Sequence, residues 1–281
     1  MRALGLIVAL AVGLSACGSS DDKDTTTTDT SSNRAQTYTP PAKTPSAPEH
    51  VMKVVYDEPT TNAEATAKEI LDLGGLGGIA DGFSKNFKLP VDVEIHVTGG
   101  DGSPFYDPQT HSITLYYDFV NLTADILKQG EPGITQNELG KQWAAVDDFI
   151  FIHEMGHAFV DLFDIPITGR EEDAVDGMAT VFFTDDVPGG AEYAFDAARF
   201  FGLLQDVQGS PDATQFADEH SLSVQRAYDI ACAVAGSSEE TMQQIAALNI
   251  LPKERLARCP AEYEQKSKAW KVLLKPHLRT S

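Results

Sequence analysis

From residue 51 onward, hydrophobic positions recur in two periods. Val51–Tyr56 alternates loosely and predicts a first strand; Val91, Val93 and Ile95 share one face and, with His96 and Val97, predict a second. Between them, Ile70, Leu71, Leu73 and Leu76 predict a helix over Asn62–Phe83, weakened by Gly74, Gly75, Gly77, Gly78 and Gly82. Those glycines do not form a phosphate loop, because no G-K-[ST] follows. After the turn Gly99–Pro104, the runs Phe105–Pro108 and Ile113–Tyr117 predict a hairpin across Gln109, Thr110 and His111, with His111 decorating the turn. The remaining pattern is helical: Asp118–Gln129, about Asn137–Asp164, a segment opening near Glu171, Ala191–Val207, and two amphipathic helices between Glu239 and Leu274 broken at Pro252. The expected class is α+β, with a small N-terminal sheet and a mainly helical C-terminal half.

The chemistry sits in the longest of these helices. Phe149–Val160 is apolar except for His153, Glu154 and His157, in the order H-E-x-x-H. Residues four apart on a helix lie one above the other. His153 and His157 can therefore offer two imidazole nitrogens to one metal ion, with Glu154 beside the open position where a water sits. Gly156 costs about 1 kcal/mol relative to Ala in mid-helix, which points to close packing at that turn. Fourteen residues separate His157 from Glu172, and the segment Gly169-Arg170-Glu171-Glu172-Asp173-Ala174-Val175-Asp176 places acids in the first turn of a new helix, where they favour its start. Glu172 and Asp176 are spaced i, i+4 and face the same way. Glu172 leads as third ligand, with Glu171, Asp173 and Asp176 as rivals.

The chain has 281 residues, 42% of them hydrophobic, and a formal net charge of -21. Length and composition allow one large domain or two lobes. The acidic balance argues against nucleic acid as a partner. Met1-Arg2 followed by the apolar run Leu4–Leu14 and then Leu14-Ser15-Ala16-Cys17 reads as a lipoprotein signal peptide over residues 1–16, with Cys17 acylated. Residues 17–50 are rich in Ser, Thr, Asp and Pro and cannot bury enough surface to fold, which predicts a disordered tether. The folded domain then spans 51–281. The expected location is the cell envelope of a bacterium, with Gly18 favouring the outer membrane or cell surface. Cys232 and Cys259, an even pair in an exported domain, predict a disulfide, with two buried thiols as the alternative.

The Glu172–Asp176 spacing resembles the E-x-x-x-D element of glutamate-type zincins. The resemblance implies Glu172 as a zinc ligand and Asp176 as hydrogen-bond partner to the far nitrogen of a ligating histidine. Thermolysin-like enzymes place a further histidine near the developing oxyanion. His220 is the candidate, with Arg226 and Tyr228 as alternatives and a helix-cap or surface role equally open. A strand beside the metal helix forms an exposed edge in zincin proteases, where substrate can pair.

Taken together, His153–His157, Gly169–Ala174, Asp218–Leu222 with Gln225-Arg226, and Cys232 with Arg258-Cys259-Pro260 resemble a family of bacterial metallopeptidase-like proteins catalogued mainly as a domain of unknown function. The likeness runs from about Thr61 to Pro276. Members often carry cysteines where this chain has residues such as Gly100 and Tyr116, so a disulfide there is not expected. The resemblance implies a zincin-like fold and a lipid-anchored zinc peptidase acting on a peptide or protein substrate, with Zn²⁺ on His153, His157 and Glu172 and Glu154 as general base. The alternative is a surface lipoprotein that binds zinc or a partner without turnover.

Overall fold

The computed structural model describes residues 49–279. The signal peptide, Cys17 and nearly all of the expected tether lie outside the described residues.

The chain opens with strand β1 (Met52–Tyr56), helices α1 (Asn62–Gly74) and α2 (Leu76–Asn86), and strand β2 (Val93–Thr98). The single helix expected over Asn62–Phe83 is two, because Gly75 adopts φ 90°, a left-handed conformation that ends α1 and starts α2. Strand β3 (Phe105–Asp107) and strand β4 (Ser112–Tyr116) form the expected hairpin. The sheet order is β1-β2-β4-β3, with β1, β2 and β4 parallel and β3 antiparallel at the edge. Val93, Ile95 and Val97 of β2 are all fully buried, so one face of the sheet forms core.

Helices α3 (Tyr117–Gly130) and α4 (Gln136–Leu162) follow. A capping box between Thr135 and Glu138 starts α4. Asp147–Gly156 is buried without a break, so this helix runs through the core rather than along it. It packs against α5 (Glu171–Asp186) and α6 (Gly190–Gln208).

The short α7 (Ala213–Phe216) leads to α8 (Ser223–Ser237), α9 (Glu239–Leu248), the short α10 (Lys253–Leu256) and α11 (Cys259–Leu274). Pro252 precedes α10, so the tail contains one helix more than its amphipathic pattern predicts. Cys232 and Cys259 form a disulfide that joins α8 to α11. The architecture is α+β, with a small sheet and a mainly helical remainder, as the pattern predicts. No helix among the described residues is long and apolar enough to cross a membrane.

Candidate metal centre

Gly156 sets how closely α4 and α5 approach. A Cβ on Gly156 would lie 2.6 Å from Val175 Cβ, so any larger residue would push the helices apart. This contact brings the faces carrying His153 and His157 onto the first turns of α5.

Three ligand-type atoms converge there. His153 Nε2 and His157 Nε2 lie 3.3 Å apart. Glu172 places Oε2 3.1 Å from His153 Nε2 and Oε1 3.3 Å from His157 Nε2. A tetrahedral site with arms of about 2.0–2.1 Å has edges of about 3.3 Å, so these spacings match a single small cation.

The far side of each ring carries a carboxylate. His153 Nδ1 donates to Asp176 Oδ1 at 2.8 Å, and His157 Nδ1 to Glu171 Oε1 at 2.8 Å. With both Nδ1 protons so engaged, both Nε2 lone pairs face inward, toward each other and toward Glu172. Glu172 Oε2 is buried and accepts no hydrogen bond, although two histidine nitrogens lie within 3.1 Å of it. A cluster of inward lone pairs with an orphaned carboxylate oxygen fits a divalent cation.

The surrounding charges follow from burial. Burial alone would lift Glu172, but with no ion bound His153, His157 and His220 lower its carboxyl when their rings carry the protons. Burial also works against Asp176, and the Arg226 guanidinium and His153 outweigh it. The Arg226 clamp is two-pronged: Nε reaches Asp176 Oδ2 at 2.7 Å and one terminal nitrogen reaches Oδ1 at 2.8 Å. The guanidinium also lies over the Phe201 ring, 3.9 Å from its centroid. Arg226, Asp176 and His153 thus form one chain from α8 through α5 to α4.

Glu154 is buried beside the rings. Burial pushes its carboxyl up, and His153 and His157 pull it part of the way back. It lines a cavity of about 330 Å³ together with His153, His220 and Arg226. His220 enters from the loop before α8. Its Nε2 lies 3.0 Å from Glu172 Oε2, its Nδ1 lies 3.0 Å from Asp218 Oδ1, and its ring stacks over His153. Arg170 holds that loop by donating to the His220 carbonyl. Glu172, Glu219 and His220 also have ligand atoms within reach of one another, though Glu219 is exposed.

His153, Glu154, His157, Glu172, Asp176 and His220 therefore lie together, Tyr228 is exposed and lines no part of the cavity, and two rivals to Glu172 find other partners. Glu171 orients His157, and Asp173 accepts from the Ser221 hydroxyl at 2.7 Å. The role of Glu171 was not legible in advance, because its helical phase differs from that of Glu172 by a full residue. Arg226, expected as an alternative oxyanion donor and part of the resembling segments, instead clamps Asp176. His111 stays in its turn, where Tyr106 Oη lies 3.1 Å from its Nδ1 and donates to Asp161 Oδ2 on α4 at 2.7 Å. That contact docks the edge hairpin on the helix one turn beyond His157.

A family model described as "Putative metallopeptidase" matches residues 56–274, well over half of the chain. No curated protein and no solved structure matches it.

Proposed function

The chain belongs to that metallopeptidase family, and from this premise we propose that it is a zinc-dependent peptidase. His153, His157 and Glu172 would hold the ion. Bound there, zinc supplies a Lewis acid that polarises the scissile carbonyl and acidifies a water. The observation that carries the reading is the convergence of two Nε2 atoms and one orphaned carboxylate at 3.1–3.3 Å, with a carboxylate behind each ring.

Glu154 takes a proton from the attacking water and passes it to the leaving amine. Its burial beside the rings supports this role, since a carboxylate kept from bulk water is a stronger base toward a nearby proton. His220, partly exposed and lining the same cavity, would donate to the developing oxyanion. Asp176 and Glu171 hold the rings, and Arg226 holds Asp176. The exposed edge β3, docked beside α4, offers backbone groups to an extended substrate. On the same reading the leader over 1–16 is removed, Cys17 is acylated, and the domain works at the envelope surface.

The deciding comparison is wild type against Glu154→Gln on an unstructured protein substrate. The variant is expected to keep its zinc and to lose about 10²–10⁴-fold in rate. Equal cleavage by the two proteins would remove Glu154 from the mechanism.

A further inference from the structure

A second cavity, of about 510 Å³, lies on the far side of α5 from the metal centre. Its volume falls in the range of small-molecule sites, about 300–1,000 Å³. Phe83, Phe87, Phe159, Phe182, Trp270 and Leu274 form apolar walls contributed by α2, its C-terminal end, α4, α5 and α11. The chain end closes the floor. Phe87 bridges Leu278, Lys88 N donates to the His277 carbonyl, and Arg279 N donates to the Asn86 carbonyl, the last two at 2.8 Å. Gly82 borders the space, and a Cβ there would meet nothing within 4 Å.

The mouth is polar, with Asp185 and Asp186 bordering it beside Lys271 and Lys275. Residues 253–279 hold eight lysines and arginines against three acids, in a chain whose net charge is -21. Lys271 and Lys275 both border the opening. Lys271 is paired to Asp185 at 2.8 Å, and Asp185 also accepts from Tyr263 and Ser267, so its charge is already used. Burial and the Asp185 charge push the neighbouring Asp186 carboxyl up. Lys275 is exposed and pairs with no carboxylate among the described residues. An aromatic-walled chamber with the unpaired Lys275 ammonium at its rim, which it shares with Asp186, can take an apolar chain whose anionic end reaches Lys275.

We propose that this cavity binds a free medium-chain fatty acid, its alkyl tail between α2 and α11 and its carboxylate at Lys275. The site is independent of the peptidase reading, because its walls share no side chain with the metal centre. Burying each further methylene should tighten binding about fourfold until the chamber is full.

Titration of the whole protein with octanoate, decanoate and dodecanoate below their micelle concentrations tests this, read by calorimetry. The expected result is saturable one-to-one binding that strengthens about fourfold per methylene. Gly82→Leu fills the chamber from a helix position with room for it, and should abolish dodecanoate binding while leaving zinc content and peptidase activity unchanged. Lys275→Glu should weaken dodecanoate several-fold and leave dodecanol unaffected. Absence of saturable binding by wild type at every chain length overturns the proposal. So does dodecanoate binding in folded Gly82→Leu that equals wild type. The chain-length series needs no variant, so it decides the matter even if Gly82→Leu does not fold.

Discussion

Helix α4 buries two groups of ionisable side chains, six residues apart, and treats them in opposite ways. At His153, Glu154 and His157, neighbouring elements bring a partner to each ring: Asp176 and Glu171 behind, Glu172 in front. At Asp147 and Asp148 the provision is far poorer. Neither buried oxygen of Asp147 makes a well-formed hydrogen bond, and burial, joined at Asp147 by the Asp148 charge, raises both acids well above the usual carboxylate range against only a lesser pull on Asp147 from the Thr123 hydroxyl. Gly74 leaves room for Asp148, since a Cβ there would stand 3.0 Å from its Oδ1. The first group is built to keep charge inside the core, and the second tolerates burial by keeping its protons. A buried polar residue marks a site when neighbouring elements have organised donors and acceptors around it.

The contrast is broken most directly at Glu172, which should be the one residue that unites the first group. Glu172→Ala is expected to lower zinc affinity by more than the about 10–100-fold that loss of an outer partner costs. Metal analysis after dialysis against a chelator of known affinity would measure it. Near-normal zinc content would move the third donor to Glu171 or Asp173.

The carboxylates behind the rings come next. Asp176→Asn should reduce zinc affinity about 10–100-fold. Glu171→Gln should do less, because Glu171 is 44% exposed while Asp176 is 8% exposed and pinned by Arg226. Water can replace a partner at the exposed position but not at the buried one. If the two variants lose equal affinity in chelator competition, burial does not set the strength of these contacts.

Much of the site was legible because its spacing is local. H-E-x-x-H on an apolar helix, and acids at i and i+4 on the next, state which side chains share a face. Gly156 was legible as a packing device, and the contact with Val175 gives the reason. Arg226 and Glu171 were harder to read, because their roles depend on how α8 and α5 are turned relative to α4, and no local pattern encodes that. The break at Gly75 was obscured by five glycines in one stretch, only one of which adopts positive φ. The parallel pairing of β1, β2 and β4 was not readable for the same reason as Arg226: strand order is a long-range property. The second cavity left almost no trace, since a space is lined by residues that each look like ordinary core.

The smallest expected effect tests the other half of the comparison. Asp147 holds its proton in the folded protein to a higher pH than in the unfolded chain, where a carboxyl titrates near 3.9. The folded state therefore binds more protons than the unfolded state as pH rises above about 4. Stability is fully present below that pH and is lost as pH climbs toward the folded-state value, by up to about 1.4 kcal/mol per pH unit. Asp147→Asn cannot ionise, so it removes this dependence while keeping shape. Its amide still lacks partners, but that cost does not change with pH. The measurable quantity is the difference in unfolding free energy between wild type and variant, from urea titrations at pH 5, 6, 7 and 8 in the same zinc buffer. The histidines and Glu172 titrate alike in both proteins and cancel. Asp196 also cancels, although burial lifts its carboxyl to about 6. The difference should move in favour of the variant as pH rises. A pH-independent difference would mean that Asp147 finds a partner in solution, and the two buried groups of α4 would then follow one rule.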